Sequence, residues 1–362
     1  MQLNEQTIAV IRDSQAKSIS AKQLVAEQLD LIYKNNWFNV WVPKEYKGLD
    51  LNLLEGFNLI KNLAYWDGAF AWTVTLCSGA NMFSGFIESE VAREVFENPK
   101  VCFGGSGRAN GKAVFEDGKY HLTGVWQYAT GAPHLTHFTL NAFIYDGDIQ
   151  RVNEQGEPVV YSFFVPREHV LIHYDWDTFG LECTASHSFS LETVAIDKDY
   201  AFELTPSSRK VDNTLYKIPF MTFAELTLLP NYLGMYKRFL DLVEKYFFDK
   251  SKNTDWAEKY SKICFRQVDA YQQQAESYDQ KAEMLILQLW EQVSVDAGNI
   301  SQELLTEIAT ESRRMVREIR EAVTTLFPLV GISGAQKDNE LNIVFRNIFT
   351  ATQHNLLNLE GQ

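Results

Sequence analysis

The chain has 362 residues, 46% of them hydrophobic, a length that suits two or three packed units better than one small core. Its 47 acidic residues outnumber 33 basic ones, and the net charge of −14 argues against nucleic acid and against an anionic membrane surface as partners. Four scattered cysteines, Cys77, Cys102, Cys183 and Cys264, have no C-x-x-C spacing, so they read as reduced thiols of a cytoplasmic protein, and no metal site is expected.

The first hundred residues read as helical. The opening MQLNEQTIAVIRD has no basic segment followed by an apolar core, and no apolar run nears the roughly 20 residues of a membrane span. Residues 20–34 predict a helix capped by Ser20, with Leu24, Val25, Leu29 and Ile32 on one side. Asn52 and Glu55 have capping-box spacing ahead of Leu53, Phe57, Ile60 and Ala64, and a third helix over 89–97 ends at Asn98-Pro99.

From about 100 to 205 the period changes. Residues 104–111, GGSGRANG, follow an apolar segment and suggest a phosphate loop, but a dinucleotide fingerprint needs a helix after its glycines. Here a hairpin follows, turning at Asp117-Gly118 with Tyr120 and Leu122 alternating on the way back. A second turn at Asp146-Gly147 and the runs HFTLNAFIY, VVYSFFVP and FSLETVAI argue for an antiparallel barrel or sandwich. Beyond 214 helices return, over 223–248, 256–296 and 305–326. Leu305, Ile308, Ser312, Met315, Ile319, Val323 and Leu326 mark a bundle seam. The expected class is a mainly helical α+β chain in three parts: N-terminal helices (1–98), a middle antiparallel β-barrel or sandwich (99–210) and a C-terminal helical bundle (211–362).

Residues 124–137, GVWQYATGAPHLTH, carry a more specific signal. They resemble the G-x-W-x-[FY]-[AT]-[ST]-G-x-x-H pattern of the acyl-CoA dehydrogenase superfamily, on the side of its flavin-dependent, two-component monooxygenases, with Gly124, Trp126, Tyr128, Ala129, Thr130, Gly131 and His134 in place. Residues 42–68, VPKEYKGLDLNLLEGFNLIKNLAYWDG, the turn WDTFGLECTAS at 176–186 and the helix ELNIVFRNIFTATQH at 340–354 are similar to three further family segments, in the same order.

The resemblance implies a flavin, FMN or FAD, between the β domain and the bundle. Thr130 would meet flavin N5, Tyr128 would pack on the ring, and the loop with Gly104, Gly105 and Ser106 would cross it; a glycine-rich turn entering a hairpin explains that loop about as well. Gly131, Thr184, Ser186 and Arg346 complete the cofactor contacts so implied, whereas Trp126 reads as core. A dehydrogenase needs a carboxylate base. The family's usual position for it reads Asn355 here, beside Gln353 and His354, which leaves Glu225 as the alternative base, unless it is an ordinary first-turn residue of its helix. His354 matches the histidine that the monooxygenases place over the flavin, or else is a polar residue on a terminal helix.

The implied partners are a small-molecule substrate and a separate flavin reductase, and the implied assembly is a homotetramer through the bundle. Three departures stand out: Arg346-Asn347 replaces an R-D pair, Glu340 replaces a proline, and residues 255–285 lack the adenylate-binding signature, which favours FMN over FAD or a weakly held flavin. Besides the monooxygenase reading, an acyl-CoA dehydrogenase and a non-catalytic ligand-binding relative stay open.

Overall fold

The computed structural model describes residues 3–295 and 300–358. Helix α1 (Glu5–Ala21) starts on Asn4, whose side chain accepts the Thr7 N–H, and stops at Lys22, which turns left-handed at φ 52°. The helix expected from Ser20 is therefore divided: Ser20 lies in the last turn of α1, and α2 (Ala26–Lys34) starts only after Val25. The Lys22 N–H returns to the Ile19 and Ser18 carbonyls, a helix stop that hydrophobic spacing does not reveal.

The capping box is present. Asn52 accepts from Glu55 N–H at 2.9 Å and Glu55 accepts from Asn52 N–H at 3.0 Å, opening α3 (Leu53–Trp66). Asp67 ends α3 and caps α4 (Gly68–Asn81) by accepting from Ala69 and Phe70. Twelve of the fourteen residues of α4 are buried, so it has no polar stripe and no amphipathic period to announce it. The short α5 (Ser89–Val95) leads into the sheet.

The strands are β1 (Phe103–Glu116), β2 (Lys119–Ala129), β3 (His137–Asp146), β4 (Ile149–Gln150), β5 (Val160–Pro166), β6 (Leu171–Ile172), β7 (His187–Asp197) and β8 (Ala201–Phe202). They form one sheet in the order β6-β7-β2-β1-β3-β5-β8, with β4 paired to β3. The hairpin turn at Asp117-Gly118 falls where expected, and the second lies one residue on from its expected place, at Gly147-Asp148. One pairing departs from the antiparallel expectation: β1 and β3 run parallel, with Phe103 opposite His137. After β2 returns to the start of β1, residues 130–136 cross to β1's free side, and β3 must leave from the same end as β1 did. Trp126 is core, as expected; it is fully buried, stacked on Phe189, with its indole N–H donating to the Asn141 carbonyl at 2.9 Å.

The C-terminal part holds α6 (Phe220–Ser251), the single turn α7 (Thr254–Trp256), α8 (Lys262–Val295), α9 (Gln302–Leu326), α10 (Glu340–Ala351) and the turn α11 (Asn355–Asn358). Helix α6 runs on through Pro230 and packs against α3 and α4 as well as α8, α9 and α10, so the two helical parts share one core. The seam of α9 is buried as its spacing requires, except that Leu304 takes the place expected of the half-buried Leu305. Glu340 explains its own departure from the family pattern. As first residue of α10 it favours the positive helix end, and its carboxylate pairs with Arg12 at 2.7 Å and Arg238 at 2.6 Å, tying α1, α6 and α10 together.

Candidate active site

A cavity of about 570 Å³ opens between the sheet and helices α4 and α6, a size typical of small-molecule sites. Its wall is mostly apolar, with Phe83, Phe202, Phe220, Phe223 and Leu228, and its polar lining includes Ser106, Thr130, Asn141, Ser162, Thr227 and His354. Among the described residues, no aspartate or glutamate lines it.

Thr130 follows the last residue of β2 and is nearly buried. Its hydroxyl lies 2.9 Å from Ser186 Oγ, which lies 2.8 Å from Thr184 Oγ1, which donates to the Leu181 carbonyl at 2.9 Å. A carbonyl only accepts, and each hydroxyl has one hydrogen. Thr184 therefore spends its hydrogen on Leu181, Ser186 spends its own on Thr184, and Thr130 spends its own on Ser186. What Thr130 can still offer is a lone pair. The far end of this chain is anchored by Asn347, whose side-chain oxygen accepts the Leu181 N–H at 2.8 Å. Thr184 and Ser186, implied above as cofactor contacts, are buried and outside the cavity lining, and their hydroxyls orient Thr130.

His354 lies between α10 and α11, exposed on the cavity it lines, with its ring edge-on to Trp72 at 5.8 Å. Burial, and then the Arg108 guanidinium, lower its pKa below the ordinary histidine value, so the ring is neutral near pH 7. Nδ1 accepts the Leu356 N–H at 3.4 Å, which places the proton of the neutral ring on Nε2 as a donor.

The other candidates separate. Gly104, Gly105 and Ser106 line the cavity with Thr130 and His354. The first two glycines serve packing more than ligand approach, since a Cβ on Gly105 would lie 1.8 Å from the Thr139 carbonyl oxygen. Ser106 donates to the Gln127 carbonyl at 2.5 Å. Tyr128 lies outside the cavity lining, half exposed and edge-on to Trp176. Gly131 has φ 78° and donates its N–H to the Thr184 carbonyl.

Arg346 binds the Phe179 carbonyl, Glu182 and Asn342, and so clamps α10 to the 178–184 turn without lining the cavity. Glu225 is also outside the lining, in the second turn of α6 and not the first; its carboxylate, 5% exposed, meets Arg313 at 2.8 Å. Burial raises its pKa, and Arg313 opposes that.

Two groups escaped the sequence reading. Asn141 donates to the Gly107 carbonyl and accepts from Ser162, making a polar seam in the wall; a lone amide inside the apolar run of β3 was its signal. Cys77, Cys102 and His134 meet behind Thr130 although they are far apart in sequence. There burial pushes the Cys77 thiol up, but the neighbouring Cys102 and His134 outweigh it and hold it below the ordinary thiol value.

Fold and cavity define a protein of acyl-CoA dehydrogenase architecture. Residues 271–359 match the family model "Acyl-CoA dehydrogenase, C-terminal domain". The chain is 26% identical over 200 residues to a pigment production hydroxylase of Rhodococcus sp. (strain ATCC 21145), covering 53% of this chain and 50% of that one, so it spans about half of that relative's length. It is 22% identical over 332 residues to an indole-3-acetate monooxygenase of Acinetobacter baumannii, covering 90% and 82%. The crystal structure of XiaF from Streptomyces sp., in complex with FADH2 and glycerol, superposes with a TM-score of 0.86 at 21% identity, over 98% of this chain and 90% of that one. The family model thus matches the C-terminal part of the chain, and the relatives and the solved structure that share its fold are flavin-dependent monooxygenases or hydroxylases by name or carry bound reduced flavin.

Proposed function

We propose that this chain is the oxygenase component of a two-component monooxygenase that takes reduced flavin from a separate reductase and hydroxylates a small, largely apolar aromatic molecule. The observation that carries the reading is the direction of the hydroxyl chain ending at Thr130. Oxidised flavin has an acceptor at N5, whereas reduced flavin has an N–H there. A hydroxyl whose hydrogen is already committed can accept from N5–H but cannot donate, so Thr130 suits the reduced form. The relatives with matching names and the FADH2 in XiaF support the same assignment.

When bound, reduced flavin supplies the electrons that activate dioxygen for insertion into the substrate. Thr130 would hold the N5 proton in place by accepting from it. The apolar wall excludes water, and the His354 Nε2–H donates a hydrogen bond into the same space. In that tautomer His354 is a donor and not a base. The dehydrogenase alternative lacks a partner for its chemistry, since Glu225 is committed to Arg313 and, among the described residues, no carboxylate lines the cavity. Asn347, the departure that suggested an inactive relative, anchors the hydroxyl chain.

The three-part division at 98 and 210, a homotetramer, a cytoplasmic location and FMN in preference to FAD belong to this proposal. Anaerobic titration with FMN and FAD, each oxidised and reduced, tests it. Tighter binding of the reduced form, followed on admission of oxygen by hydroxylation of phenols or indoles, is expected. Equal affinity for both redox states, or bleaching of bound flavin by an acyl-CoA, would overturn it.

A further inference from the structure

Three side chains that the flavin reading leaves unused converge behind Thr130. Cys77 comes from α4, Cys102 immediately precedes β1, and His134 comes from the turn between β2 and β3; their two Sγ atoms and one imidazole nitrogen all lie within 4.8 Å of one another. Both cysteines have 0% exposure. His134 Nε2 is buried with no hydrogen-bond partner, a cost that folded proteins rarely leave unmet. The ring is held flat against Phe38, with centroids 5.5 Å apart and planes 13° apart. Gly131 leaves room for the cluster, because a Cβ there would come within 2.6 Å of His134 Nε2 and 3.2 Å of Cys77 Sγ. No other such group occurs among the described residues.

We propose that Cys77, Cys102 and His134 bind a zinc ion, with the Thr130 carbonyl or one water as fourth ligand. The donor set selects the metal. Two thiolates and a neutral imidazole around a divalent ion give a site with no net charge, whereas a monovalent ion would leave one negative charge in an apolar interior. Hard cations would want carboxylates, and none belongs to the cluster. Zinc–sulfur and zinc–nitrogen bonds of about 2.3 and 2.0 Å set ligand atoms roughly 3.5–3.8 Å apart, so the cluster, with its atoms within 4.8 Å, need contract by no more than about 1.3 Å. The Thr130 carbonyl oxygen is already 3.7 Å from Cys77 Sγ.

The three ligands join α4 to the start of β1 and to the β2–β3 turn, so the ion pins the helical layer to the sheet beside Thr130. This holds whether or not flavin binds.

The test is a cobalt titration of the full chain, reduced, stripped with chelator and kept anaerobic. One equivalent of Co²⁺ should give a thiolate-to-cobalt charge-transfer band with tetrahedral visible bands, and Zn²⁺ should displace it one for one. Cys102→Ser and His134→Gln should lose the band while Cys264→Ser keeps it, with circular dichroism reporting the fold of each. Native mass spectrometry of the wild-type chain with Zn²⁺ gives the stoichiometry should a variant fail to fold. Absence of the band in folded protein, a band that survives both substitutions, retention of Cu⁺ but not of Zn²⁺, or a Cys77–Cys102 disulfide in metal-free protein purified without reductant would each overturn the proposal.

Discussion

The Thr130 and Ser186 hydroxyls, 2.9 Å apart, form a hydrogen bond that runs in one direction only, because Ser186 has already given its hydrogen to Thr184 and Thr184 has given its own to the Leu181 carbonyl. Two substitutions separate the bond from its direction. Thr130→Val removes the acceptor and should weaken reduced flavin about 2- to 10-fold, the value of one hydrogen bond. Ser186→Ala keeps the acceptor but frees the Thr130 hydrogen, so oxidised flavin should gain and the preference for the reduced form should shrink. Anaerobic dissociation constants for both redox states measure this; an unchanged ratio in Ser186→Ala would show that direction does not matter.

His354 ties the site to pH. Its folded pKa is depressed below the ordinary 6.5, so the folded chain takes up its proton later than the unfolded chain does. The sign follows: stability from this group is present above 6.5 and falls as pH drops from 6.5 through the lowered folded value. Protonation would also set an Nδ1–H against the Leu356 N–H, undoing the bond that orients the ring. Coupling of oxygen use to hydroxylation should therefore fail on an acid limb below 6.5. Arg108→Ala should move that limb upward only in part, because burial is the larger cause. His354→Gln should flatten it, and measuring peroxide against product from pH 5 to 8 would show either.

How much of this was legible in the sequence depended on distance along the chain. Capping boxes, hairpin turns and the α9 seam are local, and Asn52, Asp117 and Met315 announced them correctly. Helix α4 was silent because it is buried on every side, and the parallel β1–β3 pair was silent because crossover direction leaves no residue signature. At the site, Thr130, Gly104, Gly105, Ser106 and His354 do line one cavity. Thr184, Ser186, Gly131 and Arg346 lie outside that lining, since resemblance marks where a residue sits but not which way its hydrogen points. Cys77 and Cys102 are 25 positions apart in sequence, and only the fold brings them to His134.

Glu225 offers a clean discrimination between stability and chemistry. Its carboxylate is almost wholly buried against Arg313, so Glu225→Ala should destabilise the chain by roughly 3 kcal/mol, as breaking a buried pair does, and Glu225→Gln by less. Activity per folded molecule should change little in either. A Glu225→Gln protein of normal stability that had lost turnover would return the carboxylate to the chemistry.

Assembly is the remaining expectation, and α8 provides its handle. Ile263, Met284 and Leu287 on this helix are 58%, 40% and 51% exposed, although the opposite side of α8 packs on α6 and α9 through Leu285, Ile286 and Leu289. Met284 and Leu287 are three residues apart and therefore neighbours on one surface of the helix. Large apolar side chains held outward together on a long helix suit burial against a second copy of the same helix. Light scattering should report a tetramer at micromolar concentration. The double substitution Met284→Asp, Leu287→Asp should dissociate it while circular dichroism stays unchanged, because neither side chain belongs to the chain's own core. A wild-type monomer, or a tetramer indifferent to both aspartates, would place the contact elsewhere or remove it.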